Sequence, residues 1–155
     1  MASTLQPTPA GKISGTARSV LERKGWAVFT IGPDAWVYDA VARMDEHKVG
    51  ALFVVVDSRL VGVISERDYA RKVILKGRSS AETPVWQIMS SPVVTVTPED
   101  GVRECMQIMT EKRIRHLPVL HDGRMVGVIS IGDLVRAVIE EQDQTIEHLE
   151  RFIAG

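Results

Sequence analysis

The pattern of hydrophobic and polar positions occurs twice along the chain. Residues 30–75 align with residues 95–140 at a constant offset of about 65 residues, without a gap. The identical pairs include Pro33/Pro98, Val37/Val102, Met44/Met109, Leu52/Leu117, Gly62/Gly127, Ser65/Ser130 and Asp68/Asp133. The sequence VGVIS also stands in both copies. These matches indicate an internal duplication.

Each copy predicts the same order of elements. Apolar residues at helical spacing predict a helix, with Val37, Ala40, Val41 and Met44 in the first copy and Val102, Cys105, Met106 and Met109 in the second. Two apolar runs around a short polar turn then predict a hairpin, over Ala51–Val56 and Leu60–Ile64 in the first copy and Leu117–His121 and Met125–Ile129 in the second. A further helix is expected from about Glu66 and from about Ile131.

The segments before each helix complete the predicted unit. Short apolar stretches at Ala27–Ile31 and Val93–Val96 predict one additional strand in each copy. Pro33 and Pro98 are expected in the first turn of the helices, where a missing N–H costs nothing, with Thr97 as an N-cap. The unit is therefore strand, helix, strand, strand, helix, and the predicted fold class is α/β (α+β).

The duplication also predicts how the chain is divided. Residues 1–15 are expected to form a flexible tail, residues 16–80 and 81–140 the two repeated domains, and residues 141–155 a helical extension. Lys76–Thr83 is the predicted linker. Since so small a unit cannot bury its sheet face alone, the two copies are expected to pack against each other. The extension from about Ile139 is expected to prolong the last helix, against the body or a second subunit.

Composition excludes several classes of function. The longest apolar run is far shorter than the roughly 18 residues of a membrane helix, and no apolar leader stands at the start, so a cytoplasmic protein without membrane contact is expected. A net charge of -1 and 5% aromatic residues argue against nucleic-acid binding. The lone Cys105 excludes an internal disulfide and is expected to be a buried core residue.

Catalytic and metal-binding motifs are absent from the sequence. It contains no GxxxxGK[ST], GxGxxG, GxSxG or HExxH pattern. The four histidines are scattered without the spacing of metal ligands, at His47, His116, His121 and His148. The sequence therefore predicts neither an enzyme nor a metal site.

The doubled blocks GVISERD and GVISIGD, at 62–68 and 127–133, allow two readings. In the first, serine and aspartate three residues apart cap the following helix. In the second, the aspartate accepts hydrogen bonds from the two hydroxyls of a ribose, while the N-terminus of the helix favours the binding of phosphate oxygens. The two readings do not exclude each other.

Two copies of this unit, each with a VGVIS-x-x-D block, resemble tandem cystathionine-β-synthase (CBS) domains, a pair of which is called a Bateman module. The resemblance covers roughly residues 16–140. It implies two domains packed sheet to sheet with pseudo-two-fold symmetry and two clefts for adenosine compounds: AMP first, with ADP, ATP, NAD or S-adenosylmethionine as alternatives. It also implies a homodimer.

The resemblance further implies two sets of nucleotide-binding residues. One cleft would combine Ser65, Arg67 and Asp68 with Val94, Arg115 and His116; the other would combine Ser130 and Asp133 with Thr30, Val49, Gly50 and Ala51. The first cleft has Arg67, Arg115 and His116 available for phosphates, whereas the second has Gly132, Gly50 and Ala51. The Asp68 cleft is therefore expected to bind phosphorylated nucleotides more tightly. The Asp133 cleft is expected to prefer a less charged ligand or to bind weakly.

Three functions follow, in order of preference. The leading one is a regulatory sensor that binds an adenine nucleotide and signals to a separate, unidentified protein. The second is a structural interaction module in which the Ser/Asp pairs only cap helices. An enzyme that acts on a nucleotide is the weakest, because the sequence shows no nucleophile or base pair for it.

Overall fold

A computed structural model describes residues 13–154. The helices are α1 (Ala17–Lys24), α2 (Val37–His47), α3 (Glu66–Tyr69), α4 (Val102–Lys112) and α5 (Ile131–Ala154), and the strands are β1 (Thr30–Ile31), β2 (Ala51–Val56), β3 (Arg59–Ser65), β4 (His116–His121) and β5 (Arg124–Ser130). A π-helical turn at Ala70–Ile74 continues α3, and a 3-10 turn lies at Val85–Gln87. The chain has a mixed α/β fold with two β-α-β-β-α-like units, of which the second lacks the first strand.

The predicted helices and hairpins are confirmed in both copies. Helices α2 and α4 have the same length and each buries its predicted apolar stripe, with Val37, Ala40 and Met44 in one and Val102, Cys105 and Met109 in the other. Both hairpins turn through two residues with positive φ, Asp57-Ser58 and Asp122-Gly123. Such turns match the right-handed twist of the strands that they join.

The start of the two long helices differs from the prediction. The helices begin at Val37 and Val102, four residues after Pro33 and Pro98. Each proline instead lies in a turn, which a backbone hydrogen bond closes from Ala35 to Gly32 in one copy and from Asp100 to Thr97 in the other. Thr97 is therefore not an N-cap. The fixed φ of proline suits the second position of such a turn as well as a first helical turn, so the sequence alone does not separate them.

Two of the predicted strands also change. The first additional strand is shorter than expected, since β1 covers Thr30 and Ile31 alone. The second is wrong, because residues 93–96 form none of the strands within the described part of the chain. The predicted tail at 1–15 lies mostly outside the described residues. Its described end is held in place, since Ser14 donates backbone and side-chain hydrogen bonds to Glu141.

By its internal contacts the described chain divides into two compact units. The sheet unit contains residues 26–95 and 118–128; the helical unit contains the residues up to Gly25, residues 96–117 and the chain from Ile129 onward. These units do not follow the boundaries of the sequence repeats, and the predicted domain boundaries stay a prediction. Within residues 13–154, no helix is both long and apolar enough to cross a membrane.

In the sheet unit, β1, β2 and β3 form a sheet that packs on α2. Strand β1 runs parallel to β2, with Thr30 opposite Phe53, and β2 runs antiparallel to β3, with Ala51 opposite Ser65. The buried core combines residues of α2, the sheet and the following segment: Val37, Ala40, Met44, Leu52, Val54, Ile64, Val73, Val85 and Ile88. This core fixes the end of β3, where the first Ser-x-x-Asp block lies. The predicted linker closes one side, since Thr83 is buried and its carbonyl accepts from the Val37 N–H.

The helical unit contains α1, which the sequence analysis did not predict. Thr16 and Ser19 form a reciprocal capping box at its start, and Ala17, Val20 and Leu21 are buried. Its first N–H groups donate to the carbonyls of Asp100 and Pro98, immediately before α4. Helix α1 is therefore part of the folded unit, and it ends with Arg23 and Lys24.

Candidate functional site

The first Ser-x-x-Asp block stands where β3 ends and α3 begins. The Ser65 Oγ accepts a hydrogen bond of 3.2 Å from the Asp68 N–H. In return, Asp68 Oδ2 accepts from the Ser65 N–H at 2.9 Å and from its hydroxyl at 3.0 Å. These bonds orient the carboxylate and confirm the predicted capping arrangement.

The second block repeats this geometry at the junction of β5 and α5. The Ser130 Oγ accepts from the Asp133 N–H at 3.2 Å, and Asp133 Oδ2 accepts from the Ser130 N–H at 2.8 Å. The Asp133 side chain is 6% exposed and the Asp68 side chain 13%. Both carboxylates are thus held nearly buried, and a nearly buried carboxylate needs charged or hydrogen-bonding partners.

The cations that satisfy the two carboxylates come from different places. At Asp68, the ammonium group of Lys72 lies 3.1 Å from Oδ1, one helical turn further along the same segment. At Asp133, Arg136 of the same helix donates to Oδ1 at 2.7 Å, and Lys24 of α1 donates to Oδ2 at 2.7 Å. The second carboxylate therefore has two cations, and one of them lies 109 residues away in the sequence.

Backbone contacts place the start of the neighbouring strand beside each block. The Glu66 N–H donates to the Gly50 carbonyl at 3.0 Å, and the Ile131 N–H donates to the Arg115 carbonyl at 2.9 Å. Ala51 also pairs with Ser65 across the sheet. The structure therefore brings Gly50 and Ala51 together with the block of their own repeat, and Arg115 likewise. The combinations across repeats that the resemblance implies stay a prediction.

The remaining predicted residues lie on several elements. Val49 follows α2, Arg67 is an exposed residue of α3, and Val94 is a half-buried residue of an irregular segment. Thr30 lines an open cavity of about 580 Å³ in the sheet unit, next to the charged side chains of Asp39, Arg43 and Glu46. Gly132 is the second residue of α5, and a Cβ there would meet only ordinary contacts, 3.7 Å from the Ser130 Oγ.

Two groups at the second block have shifted pKa values. Burial alone would raise the pKa of Asp133, but hydrogen bonds from Lys24 and Ser130, with the Lys24 charge, lower it overall. Burial lowers the pKa of His116, and the nearby charges of Lys24 and Arg115 lower it further, against the opposing effect of Asp133. An anionic Asp133 and a neutral His116 are therefore the favoured forms in the folded protein.

A narrow cavity lies between α1 and α5 at this block. Its volume is about 120 Å³, and its lining includes Arg23, Lys24, Asp133, Arg136 and Glu140. Arg23 and Glu140 form an ion pair across it. Charged groups thus cover the Asp133 carboxylate on the side of α1.

Sequence reasoning missed the cations on both carboxylates. Lys72 and Arg136 are detectable in principle, because residues three or four apart on a helix are neighbours. The Thr16–Ser19 capping box could have revealed α1, but no local pattern shows that Lys24 contacts Asp133. The predicted preference of the Asp68 cleft for phosphate counted neither Lys24 nor Arg136, and it stays a prediction.

The structure supports no nucleophile at the only cysteine of the chain. Cys105 is buried in α4, and burial, together with the charges of Asp100 and Glu104, raises its pKa to about 11. A thiol with so high a pKa is a poor nucleophile at neutral pH. Among the described residues, no group of three or more His, Cys, Asp or Glu side chains is placed to hold a metal ion.

Comparison with known proteins agrees with this geometry. The sequence profile of the CBS domain matches residues 23–75 and 85–140. The chain is 45% identical, over 94% of its own length and 75% of the relative's, to the mitochondrial CBS domain-containing protein CBSX3 of Arabidopsis thaliana. It is also similar to the solved CBS domain structure of NE2398, at 42% identity and a TM-score of 0.78 over 81% of this chain and 98% of that one.

A more distant structure shares the fold. The CBS domain pair of protein MJ0100, solved with 5'-methylthioadenosine and S-adenosyl-L-methionine, is 22% identical with a TM-score of 0.74, over 83% of this chain and 98% of that one. The profile matches cover both sequence repeats, and the repeats carry equivalent Ser-x-x-Asp blocks. The chain therefore belongs to the CBS domain family, as a tandem pair of CBS domains.

Proposed function

We propose that this chain is a regulatory module that binds an adenine nucleotide and signals its ligand state to another protein. AMP is the first candidate ligand, with ADP, ATP, NAD and S-adenosylmethionine as alternatives. The observation that carries the proposal is the pair of nearly buried carboxylates, Asp68 and Asp133, each oriented by a serine at a strand end. A carboxylate held in this way has the chemistry to accept hydrogen bonds from a ribose diol.

The family supports the choice of an adenosine compound. The related pair of MJ0100 holds 5'-methylthioadenosine and S-adenosyl-L-methionine, which share the adenosine group. The cations near the carboxylates, Lys72 at one block and Lys24 and Arg136 at the other, would suit the phosphates of a nucleotide. A ligand then changes the contacts with a partner protein only to the extent that it binds one conformation better than another.

The experiment is thermal unfolding of the full chain with each of the five compounds in turn. A ligand at a hundred times its dissociation constant stabilises the folded state by about 2.7 kcal/mol, which is an easily measured shift. We expect a shift with at least one compound, and its reduction in Asp68→Asn or Asp133→Asn. Asp122→Asn is the matched control, since Asp122 lies in an exposed turn. A shift that survives both site substitutions would contradict the proposed site, and no shift with any compound would contradict the function.

A second candidate function is protein interaction without a ligand, and α5 favours it. Four exposed apolar residues and one glutamine lie on one face of this helix, at alternating spacings of four and three residues: Val135, Ile139, Gln142, Ile146 and Leu149. Residues 142–151 are all exposed in the isolated chain. This spacing is typical of a coiled-coil seam, in which a single polar residue sets the register.

We propose that a second copy of the chain covers this face, giving the expected homodimer, with each Gln142 opposite its counterpart. Sedimentation of the full chain tests this. Ile146→Glu combined with Leu149→Glu is expected to shift the dimer to monomer, whereas Gln144→Glu, on the opposite face, leaves it intact. An unchanged dimer in the double variant would place the interface elsewhere.

The predicted cytoplasmic location and the absence of catalysis also stay predictions.

A further inference from the structure

Three donors already bond to the Asp133 carboxylate, two of them to the same oxygen. Its Oδ2 accepts from the Ser130 N–H at 2.8 Å and from Lys24 at 2.7 Å, and its Oδ1 accepts from Arg136 at 2.7 Å. A carboxylate offers about four acceptor sites in all. With about two sites on each oxygen, Oδ2 is full. A ribose diol that bonds to both oxygens therefore needs a site on Oδ2, and the donor that can leave it is Lys24, because the Ser130 N–H belongs to the backbone.

Lys24 is the donor whose removal changes most. Arg136 lies three residues from Asp133 on the same helix and its side chain is two-thirds exposed, so it can turn into solvent at little cost. Lys24 belongs to a separate helix and its side chain is 33% exposed. Backbone bonds from Ala17 and Arg18 to the residues before α4 hold that helix, and the ion pair from Arg23 to Glu140 joins it to α5. Helix α1 is therefore fixed in a position that places the Lys24 ammonium group beside the Asp133 carboxylate.

We infer that Lys24 determines ligand specificity at Asp133 by excluding uncharged nucleosides and admitting phosphorylated ones. An uncharged nucleoside whose diol bonds to both carboxylate oxygens must displace the ammonium from Oδ2, and it supplies no anionic group in exchange. A nucleotide phosphate offers such a partner, and the flexible four-carbon stem of lysine allows the ammonium to exchange one anion for the other. The inference rests on the proposed function, because it requires that adenosine compounds bind at Asp133.

In the first repeat, no described contact brings a cation from a distant helix to Asp68. The cation on Asp68 is Lys72, which lies four residues further along the same segment and also donates to the Ile88 carbonyl at 2.9 Å. Both of its contacts lie within the sheet unit. The exclusion of uncharged nucleosides by Lys24 therefore concerns the second block alone, and it can be tested there without disturbing the first.

The test measures binding of adenosine and of AMP to the full chain by calorimetry, in an Asp68→Asn background that isolates the second block. Lys24→Met keeps the aliphatic stem and removes the charge. We expect it to bind adenosine about tenfold more tightly, the size of one hydrogen bond to a charged group, and to bind AMP no better than before. The preference for AMP over adenosine should therefore fall by tenfold or more.

The control variants separate this effect from a loss of structure. Lys24→Arg keeps a cation and is expected to retain the preference for AMP. Arg18→Met removes a neighbouring cation of α1 that pairs with Glu99 and should change neither affinity. If Lys24→Met does not unfold cooperatively, Lys24→Gln replaces it as the neutral variant.

The outcomes distinguish this inference from the proposed function. If both compounds bind and Lys24→Met leaves their ratio unchanged, the inference is wrong while the proposed function stands. If Lys24→Met loses both affinities equally, Lys24 is a general positioning residue and the inference is also wrong. If neither adenosine, AMP nor the other compounds bind to any form of the chain, the proposed function fails, and the inference fails with it.

Discussion

The two Ser-x-x-Asp blocks have the same backbone geometry and different electrostatic surroundings. In each, serine and aspartate cap each other with nearly equal distances, and the following N–H bonds to the start of the neighbouring strand. The first carboxylate is satisfied within its own segment by Lys72, whereas the second receives Lys24 from α1. Helix α1 precedes residues 30–75, the first copy of the aligned repeat, and the match to the CBS profile begins at its residue 23. The two blocks thus share their local geometry and differ in the cations that surround the carboxylate.

The largest expected difference between the blocks is the cost of removing the carboxylate. Asp133→Ala removes the contacts of the carboxylate with two cations and with the Ser130 N–H, and it is expected to destabilise the fold by about 2–3 kcal/mol. Asp68→Ala removes the contacts with the Ser65 N–H and with one cation, the half-exposed Lys72, for about 1–2 kcal/mol. Denaturant unfolding of both variants measures the difference. Equal losses would mean that the α1 contact adds nothing to stability.

A pair of double-mutant cycles isolates the ion pairs themselves. Lys24→Met combined with Asp133→Asn is expected to show a coupling energy of about 1 kcal/mol, because the pair is largely buried. Lys72→Met combined with Asp68→Asn is expected to show about 0.5 kcal/mol or less, since Lys72 is nearly half exposed. A larger coupling at the first block would reverse the comparison.

The two blocks also differ at His116, whose counterpart in the first repeat is Ala51. This difference predicts that stability depends on pH. The folded pKa of His116 is lowered by burial and by Lys24, so below about pH 6.5 the unfolded chain binds more protons than the folded one. Stability is therefore expected to fall as the pH drops from about 6.5 towards the folded pKa of this group. Denaturant unfolding of His116→Ala at several pH values from about 5 to 8 should show a free energy of unfolding that depends less steeply on pH. An unchanged slope would assign the loss to other groups.

The smallest expected effect concerns Gly132, whose counterpart is Arg67. A Cβ there has room, so Gly132→Ala is expected to stabilise α5 by about 0.5–1 kcal/mol. Gly123→Ala is the matched control, because Gly123 has a φ of +76° in the second hairpin turn and alanine there is strained. A destabilising Gly132→Ala would show that the glycine is needed at this helix start.

Local sequence patterns predicted the duplicated unit, both hairpins, the long helices and the two capped aspartates. These features depend on contacts between residues close in the chain, such as the bonds between Ser65 and Asp68, or on a pattern that occurs twice. The limits of local reasoning appear at Pro33 and Pro98, where a turn and a helix start share one backbone angle. At α1, a readable capping box was present, but no repeat drew attention to it.

The charges that surround each aspartate depend on the tertiary fold. Lys24 reaches Asp133 because α1 is fixed by backbone bonds to the residues before α4, and no spacing in the sequence encodes that contact. The same holds for the shifted pKa of His116, which depends on Lys24, Arg115 and Asp133 together. Local patterns specify which groups a site contains, while the charge balance of the site depends on cations that the fold brings from distant segments.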